Sequence, residues 1–400
     1  MGSFKQRTEK SWTLYAELGY DARGKRIRKT RTVRVDDSKL LKAPTKLKRH
    51  LEEELLKFET EIRNGEYVDP DKSSFSGFVE IWKDRHAQKA LSPTTLEVFE
   101  RNLDNHIIPY FGDKKISAIN TVQITAFLDK KMKEKSKNNP EKTLSPSTVK
   151  YLHRILKHIF TVAAEWKVIK DNPMVGVKAP TLERKEMEYF SGDEMPFVLE
   201  ILYGQEPMWK IFFILATFAG LRRGENVALQ WKHINIEESE LTVEDNLVIG
   251  IREDGTKGPV YKKPKSAASA ATIPLPYFVT DLLKVYRREW IKEKLTAGDY
   301  WEGGDKEYLY HDGFGNHLYP DTPSKKWRKI RQKHEMKDVR LHDLRHTMVA
   351  LLMEEDDVNL LAVSKQARHT SSKFTADVYG HISKKRQQKT INQLQKYKPS

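Results

Sequence analysis

The sequence predicts a multidomain α+β protein. It comprises a small β-sheet plus helix at the N-terminus, an all-α middle domain, and a mixed, mainly helical domain with a small antiparallel sheet. Three observations predict it. Residues 2–35 are rich in aromatic and β-branched residues punctuated by turn residues. Two Ser-Pro pairs each open an apolar stripe at helical spacing, and from residue 189 onward helical and strand-like stretches alternate around turn signals. At 400 residues the chain is long enough for two or three domains, each with its own core. The expected divisions are 1–66, 74–180 and 187–383, with a tail at 384–400.

In the first division, Trp12-Thr13-Leu14-Tyr15-Ala16-Glu17-Leu18 reads as a strand and Asp21-Ala22-Arg23-Gly24 as the turn before a basic strand, Lys25 to Val35. Alternating Arg and Thr between Arg28 and Arg34 would put cations along a sheet face. Leu51, Leu55, Phe58 and Ile62 recur at near-helical spacing, as in a helix packed behind that sheet. Val68 to Ser74 reads as a linker.

The middle division is helical throughout, beginning with Phe75, Phe78, Ile81 and Trp82. Ser92-Pro93 and Ser145-Pro146 combine a capping hydroxyl with proline in the first turn. Each leads into an apolar stripe: Leu96, Phe99, Leu103 and Ile107 after the first, Leu152, Ile155, Leu156, Ile159 and Phe160 after the second. These stripes read as core, leaving Arg101, Lys150, Arg154 and Lys157 on other faces to meet phosphates. Asn172-Pro173, Ala179-Pro180 and the charged stretch Glu183 to Glu188 mark the crossover to the next domain.

Beyond Tyr189 a helix over Trp209 to Phe218 is expected, then strands at Glu240 to Ile249 and Val260 to Lys263 with a turn at Asp254-Gly255. Lys265 falls at the next turn, before a strand ending near Leu275. Gly250 and Gly255 have the spacing of a phosphate-binding loop, but Thr256-Lys257 reverses the Lys-Ser/Thr order that such a loop needs.

The formal charge of +15 points to a polyanionic partner. Residues 1–50 hold 15 Lys/Arg against 5 Asp/Glu and residues 384–400 hold 6 against none, so the excess resides at the two ends. With no cysteine there is no disulfide framework, thiolate zinc site or cysteine nucleophile, which fits a reducing, cytoplasmic setting. The start carries Lys5, Arg7 and Lys10 with no apolar stretch behind them, unlike a signal peptide. The longest apolar run, Ile211 to Gly220, is too short to span a bilayer and reads as a buried helix, so no membrane partner is expected.

Three stretches carry candidate chemistry. They are Ala219-Gly220-Leu221-Arg222-Arg223-Gly224-Glu225, then Lys263-Pro264-Lys265-Ser266, then the region from Leu341 to His381. The last opens with Leu341-His342-Asp343-Leu344-Arg345-His346-Thr347 and continues to His369 and, after nine intervening residues, Tyr379. His342 and Arg345, three apart on one helix face, can converge on a small anion. Singly each has a plain structural reading: a solvated pair, a packing tyrosine, an exposed turn lysine. Together and in order, Arg222, Lys265, His342, Arg345, His369 and Tyr379 resemble the active-site series of the tyrosine recombinases, the phage integrase family.

The resemblance covers residues 187–383 and, more loosely, the preceding 110 or so. It implies a site-specific recombinase that cuts and rejoins double-stranded DNA for integration and excision of a phage or mobile element. Arg222 and Arg345 would neutralise the scissile phosphate, Tyr379 would take the 3′ phosphate, and Lys265 would protonate the leaving 5′ oxygen. His342 would assist proton movement and His369 would hydrogen-bond the phosphate. No cofactor and no metal are implied, since the phosphotyrosine conserves the energy of the broken bond.

The implied partners are DNA core and arm attachment sites, further copies of the chain in a tetramer on DNA, and accessory bending or directionality proteins. The N-terminal sheet is similar to the family's arm-type DNA-binding domain and the helical division to its core-binding domain. One departure stands out, in that Ala367-Arg368 precede His369 where the family commonly has Leu-Gly. Competing readings are a type IB topoisomerase, a non-catalytic DNA-binding protein of the same fold, and a metal-dependent nuclease.

Overall fold

The computed structural model describes residues 2–20, 26–63, 73–137, 139–182, 187–263, 271–355 and 359–368. The chain divides into two units, 1–182 and 183–400.

The first unit begins with an antiparallel sheet in sequence order, Ser3–Thr8, Ser11–Tyr20 and Arg26–Arg34. Trp12, Leu14 and Ala16 alternate inward, and Leu51, Leu55 and Phe58 of the Pro44–Arg63 helix close over them. Because side chains alternate with a period of two, the basic residues of the third strand divide between faces. Arg28, Thr30, Thr32 and Arg34 occupy the open face, whereas Lys29, Arg31 and Val33 turn toward the helix. The Arg31 guanidinium lies 4.5 Å from the Phe58 ring centre. On the open face Arg28 sits 3.7 Å over the Tyr15 ring and 3.5 Å from Glu17. The expected single cationic face is therefore two mixed ones. The 21–24 turn and most of the 68–74 linker lie outside the described residues.

A separate hydrophobic core holds the helices of the middle region, chiefly Phe75–Trp82, Pro93–Asn102, Thr121–Lys133 and Pro146–Glu165. Both Ser-Pro signals act as expected. The Ser92 hydroxyl accepts from Thr95 N at 3.4 Å and that of Ser145 from Thr148 N at 3.1 Å, each capping donors the helix itself leaves unpaired. Two features escape the periodicity: π-helical turns at Lys83–Ala87 and Leu103–Ile107, and a short hairpin pairing Lys135–Ser136 with Asn139–Thr143. Arg101, Lys150, Arg154 and Lys157 are all exposed. Arg101 borders a polar cleft of about 810 Å³ together with Asn105, Lys135, Lys137, Thr148 and Tyr151.

In the second unit Pro207–Phe218 is a buried helix, as its apolar run requires. The expected 240–249 strand is two strands, because its halves take different partners. Glu240–Val243 lies between Ile234–Asn235 and Ala271–Pro274, while Asn246–Ile251 forms a hairpin with Lys257–Lys262. Gly250 and Gly255 thus belong to a strand and its hairpin turn. The helices Tyr277–Ala297, Thr322–Lys333 and Leu344–Glu354 complete the core. Among the described residues no helix is long and apolar enough to cross a membrane.

Candidate active site

The helix ending at Phe218 delivers the chain to Gly220, whose φ of +58° favours glycine. A Cβ there would stand 2.6 Å from Met348 Cε and 2.7 Å from its Sδ. The turn leads to Arg222, which caps the short helix Arg223–Val227. Glu225 folds back in that helix, accepting the Arg222 backbone N–H at 2.9 Å and Nη1 at 2.8 Å. One residue on, Asn226 anchors the helix to the core: its amide donates to Phe212 O at 2.9 Å and it accepts from the Tyr310 hydroxyl at 2.8 Å. Arg222 thereby stays partly open to solvent above a fixed base.

The second arginine arrives from 123 residues further on. Leu341–Asp343 forms a single 3₁₀ turn that opens the Leu344–Glu354 helix. Arg340 grips the buried Asp343 carboxylate with Nε at 2.7 Å and Nη2 at 2.9 Å. Thr347 ties the helix down by donating to Asp343 O and accepting from Phe190 N, both at 3.2 Å. Arg345, almost fully buried, then donates from Nη1 to Gly220 O at 2.6 Å. His342 remains exposed, with its ring 5.6 Å from that of buried His346 and nearly perpendicular to it. Asp343 and His346 are thus interior residues.

Charge in this region is unbalanced. Desolvation by the surrounding protein, then repulsion from Arg345, holds the His342 imidazole below its ordinary pKa. Burial alone would raise the Glu225 carboxyl, but Arg368 and Arg222 outweigh it and keep the group ionised below the usual range. Beside His342 runs a cleft of about 420 Å³ bordered by Arg223, Arg328, Arg331 and Arg340. Three of these arginines are partnered by carboxylates: Arg223 by Asp321 at 2.7 Å, Arg331 by Asp338, and Arg340 by Asp343.

Arg368, which stands where the sequence departs from the family's Leu-Gly before His369, turns inward instead of reaching toward a phosphate. At the end of the Leu360–Gln366 helix its backbone is left-handed, φ +49°, and its side chain is 1% exposed. Nη2 reaches Glu225 Oε2 at 2.8 Å and Gly220 O at 3.3 Å, while its own carbonyl faces Arg222 Nη2 at 3.4 Å. The signal available beforehand was the arginine in a position where Gly is common, as a left-handed backbone favours.

The structure therefore brings together Arg222 and Arg345, with His342 on the turn that leads into the Arg345 helix. Lys265, His369 and Tyr379, and the 384–400 tail, lie outside the described residues. Among the described residues one grouping has metal-like spacing: His233, Glu244 and Asp245 offer ligand atoms within 4.8 Å of one another. Its chemistry argues otherwise. Gln230 N donates to His233 Nδ1 at 3.1 Å, so Nε2 carries the proton of the neutral ring and faces Glu244 at 3.5 Å as a donor. Asp245 is engaged by Lys263 at 3.1 Å.

Comparison with known proteins gives a consistent picture. Residues 74–132 match the profile described as "Phage integrase, N-terminal SAM-like domain" and residues 189–386 the one described as "Phage integrase family". A "Tyrosine recombinase XerC-like" protein of Caldanaerobacter subterraneus subsp. tengcongensis is 29% identical over 390 residues, 94% of each chain. Among solved structures, the Tn1549 transposon integrase in complex with a circular intermediate DNA superposes with a TM-score of 0.62 at 17% identity. That match covers 79% of this chain and 98% of the other. A lambda integrase tetramer bound to a Holliday junction gives 0.52 at 15% identity, covering 92% and 96%.

Proposed function

This chain belongs to the phage integrase family of tyrosine recombinases, and from that premise we propose how its residues recombine DNA. A phosphodiester resists attack because its oxygens are negative and gain charge in the transition state. Arg222 and Arg345 present permanently charged forks to those oxygens. The observation that carries this reading is their convergence on one loop: Arg345 holds the Gly220 carbonyl, and Arg222 stands two residues further along.

In the proposed sequence the Tyr379 hydroxyl attacks the phosphorus and loses its proton. A tyrosine–3′-phosphate bond forms as the bond to the 5′ oxygen breaks, and Lys265 gives that oxygen its proton. His342, whose depressed pKa keeps it neutral at physiological pH, serves proton movement, and His369 donates to the phosphate. Attack by a 5′ hydroxyl from a partner strand reverses the step and joins the strands, without metal or nucleotide.

The N-terminal division, 1–66, reads arm sites, residues 74–180 grip the core site, 187–383 carry the chemistry, and the 384–400 tail docks on a neighbouring copy in a tetramer on DNA. Accessory bending or directionality proteins complete the assembly. The exposed Arg101, Lys150, Arg154 and Lys157 support the core-site role. The basic N-terminal sheet favours a recombinase over a type IB topoisomerase, since bridging distant sites needs a second DNA-binding module. A supercoiled plasmid lacking any attachment site tests this. The chain should leave it supercoiled, whereas rapid, site-independent relaxation would favour the topoisomerase.

A further inference from the structure

We infer that Arg368 is a positioning residue for the phosphate clamp: it occupies one oxygen of Glu225 so that Glu225 fixes Arg222 without turning it away from substrate. The inference rests on the reading of Arg222 as a phosphate-binding side chain.

Glu225 has two oxygens and two arginines to serve. Oε1 accepts from Arg222 Nη1 at 2.8 Å, and Oε2 accepts from Arg368 Nη2 at 2.8 Å and from the Arg222 backbone at 2.9 Å. A carboxylate beside a single guanidinium prefers to take it with both oxygens, fork to fork. Such a grip on Arg222 would turn its donors inward and neutralise them. With Oε2 already engaged, Glu225 meets the Arg222 side chain through Nη1. The Arg368 carbonyl receives Nη2 at 3.4 Å, so Arg222 is oriented from two sides. The added cation also offsets the Glu225 charge. Counting side chains, Arg222, Arg345 and Arg368 against Glu225 leave a net charge of two positive units at the clamp.

Arg368 is ill suited to a purely stabilising role. Its backbone is left-handed, which costs a side-chain-bearing residue energy that glycine is spared. Its Nε and Nη1 are buried and meet no acceptor among the described residues, an arrangement that costs stability. A residue that carries both penalties and contacts the base of the clamp fits the pattern of strain held at a functional site.

The test uses the full chain, nicked duplex DNA carrying its target, and the variants Arg368→Gly and Arg368→Lys. Three quantities are read: the single-turnover rate of covalent adduct formation, DNA affinity, and the thermal midpoint. Arg368→Gly should unfold cooperatively and bind DNA within about threefold of wild type, yet form adduct at least tenfold more slowly. Arg368→Lys should recover part of that rate. A wild-type rate in Arg368→Gly, or a rate loss matched by lost folding and not relieved by lysine, overturns the inference.

A second measurement does not depend on chemistry. Thermal midpoints of Arg368→Gly, Glu225→Gln and the double variant should be non-additive, and additivity overturns the proposed link. Absence of adduct with wild-type chain would instead sink the reading of the site itself, and the thermal cycle would still decide the Arg368–Glu225 link.

Discussion

Arg345 Nη1 donates to the carbonyl of Gly220, 125 residues earlier in the chain, at 2.6 Å. The bond joins the two sequence motifs that supply the paired guanidiniums, and it depends on a left-handed backbone turn that favours glycine. The geometry of the clamp is therefore set by main chain as much as by side chain.

Replacing Gly220 with alanine tests that dependence. The new methyl would collide with Met348 and the residue would be held at positive φ. The expected loss is about 2–4 kcal/mol of folding stability. Denaturant unfolding measures it, and trimming Met348 to alanine in the same chain should return only the steric part. An unchanged midpoint in the single variant would mean the turn relaxes freely.

Arg345→Lys keeps the charge but loses the planar fork. Lysine cannot hold the Gly220 carbonyl and a phosphate oxygen together, so adduct formation should slow by roughly 10²-fold with DNA affinity little changed. Parallel losses of rate and affinity in a single-turnover assay would make Arg345 a general binding residue.

The buried His346 predicts a pH dependence of stability. Burial first, then the neighbouring His342, push its pKa from 6.5 down to about 4. The unfolded chain takes up this proton near 6.5 and the folded chain only near 4, so the unfolded state binds more protons between those values. Stability should thus fall as pH drops through that window and level off below it. The contribution of this one group is about 3 kcal/mol. Urea unfolding of wild type and His346→Gln across the window measures it, with a flatter profile expected for the variant. Parallel profiles would contradict the depressed pKa.

On the N-terminal sheet, the open face carries Arg28 and Arg34. Replacing both with alanine should weaken DNA binding and make the dependence of log affinity on log salt shallower by roughly 0.9 for each phosphate no longer neutralised. An unchanged slope would place the DNA elsewhere on this domain.

Local signals were the legible ones. Ser92 and Ser145 cap their helices because a hydroxyl three residues before a free N–H can act within one turn of chain. Arg222 and Arg345 were legible as members of ordered motifs, although only the folded chain shows that a glycine carbonyl links them. The Arg368 contact was not legible, because its partner Glu225 lies 143 residues away and its inward aim follows from a left-handed backbone. The π turns at Lys83–Ala87 and Leu103–Ile107 leave the apolar spacing nearly helical, so periodicity passes over them. The division of cations between the two faces of the Arg26–Arg34 strand followed from side-chain parity, which a count of basic residues ignores.

The most direct measurement asks whether the chain bonds to DNA through Tyr379. Incubated in EDTA with nicked duplex carrying its target, the wild-type protein should yield a covalent protein–DNA band on a denaturing gel, and Tyr379→Phe should yield none. An adduct that persists in Tyr379→Phe would contradict the account.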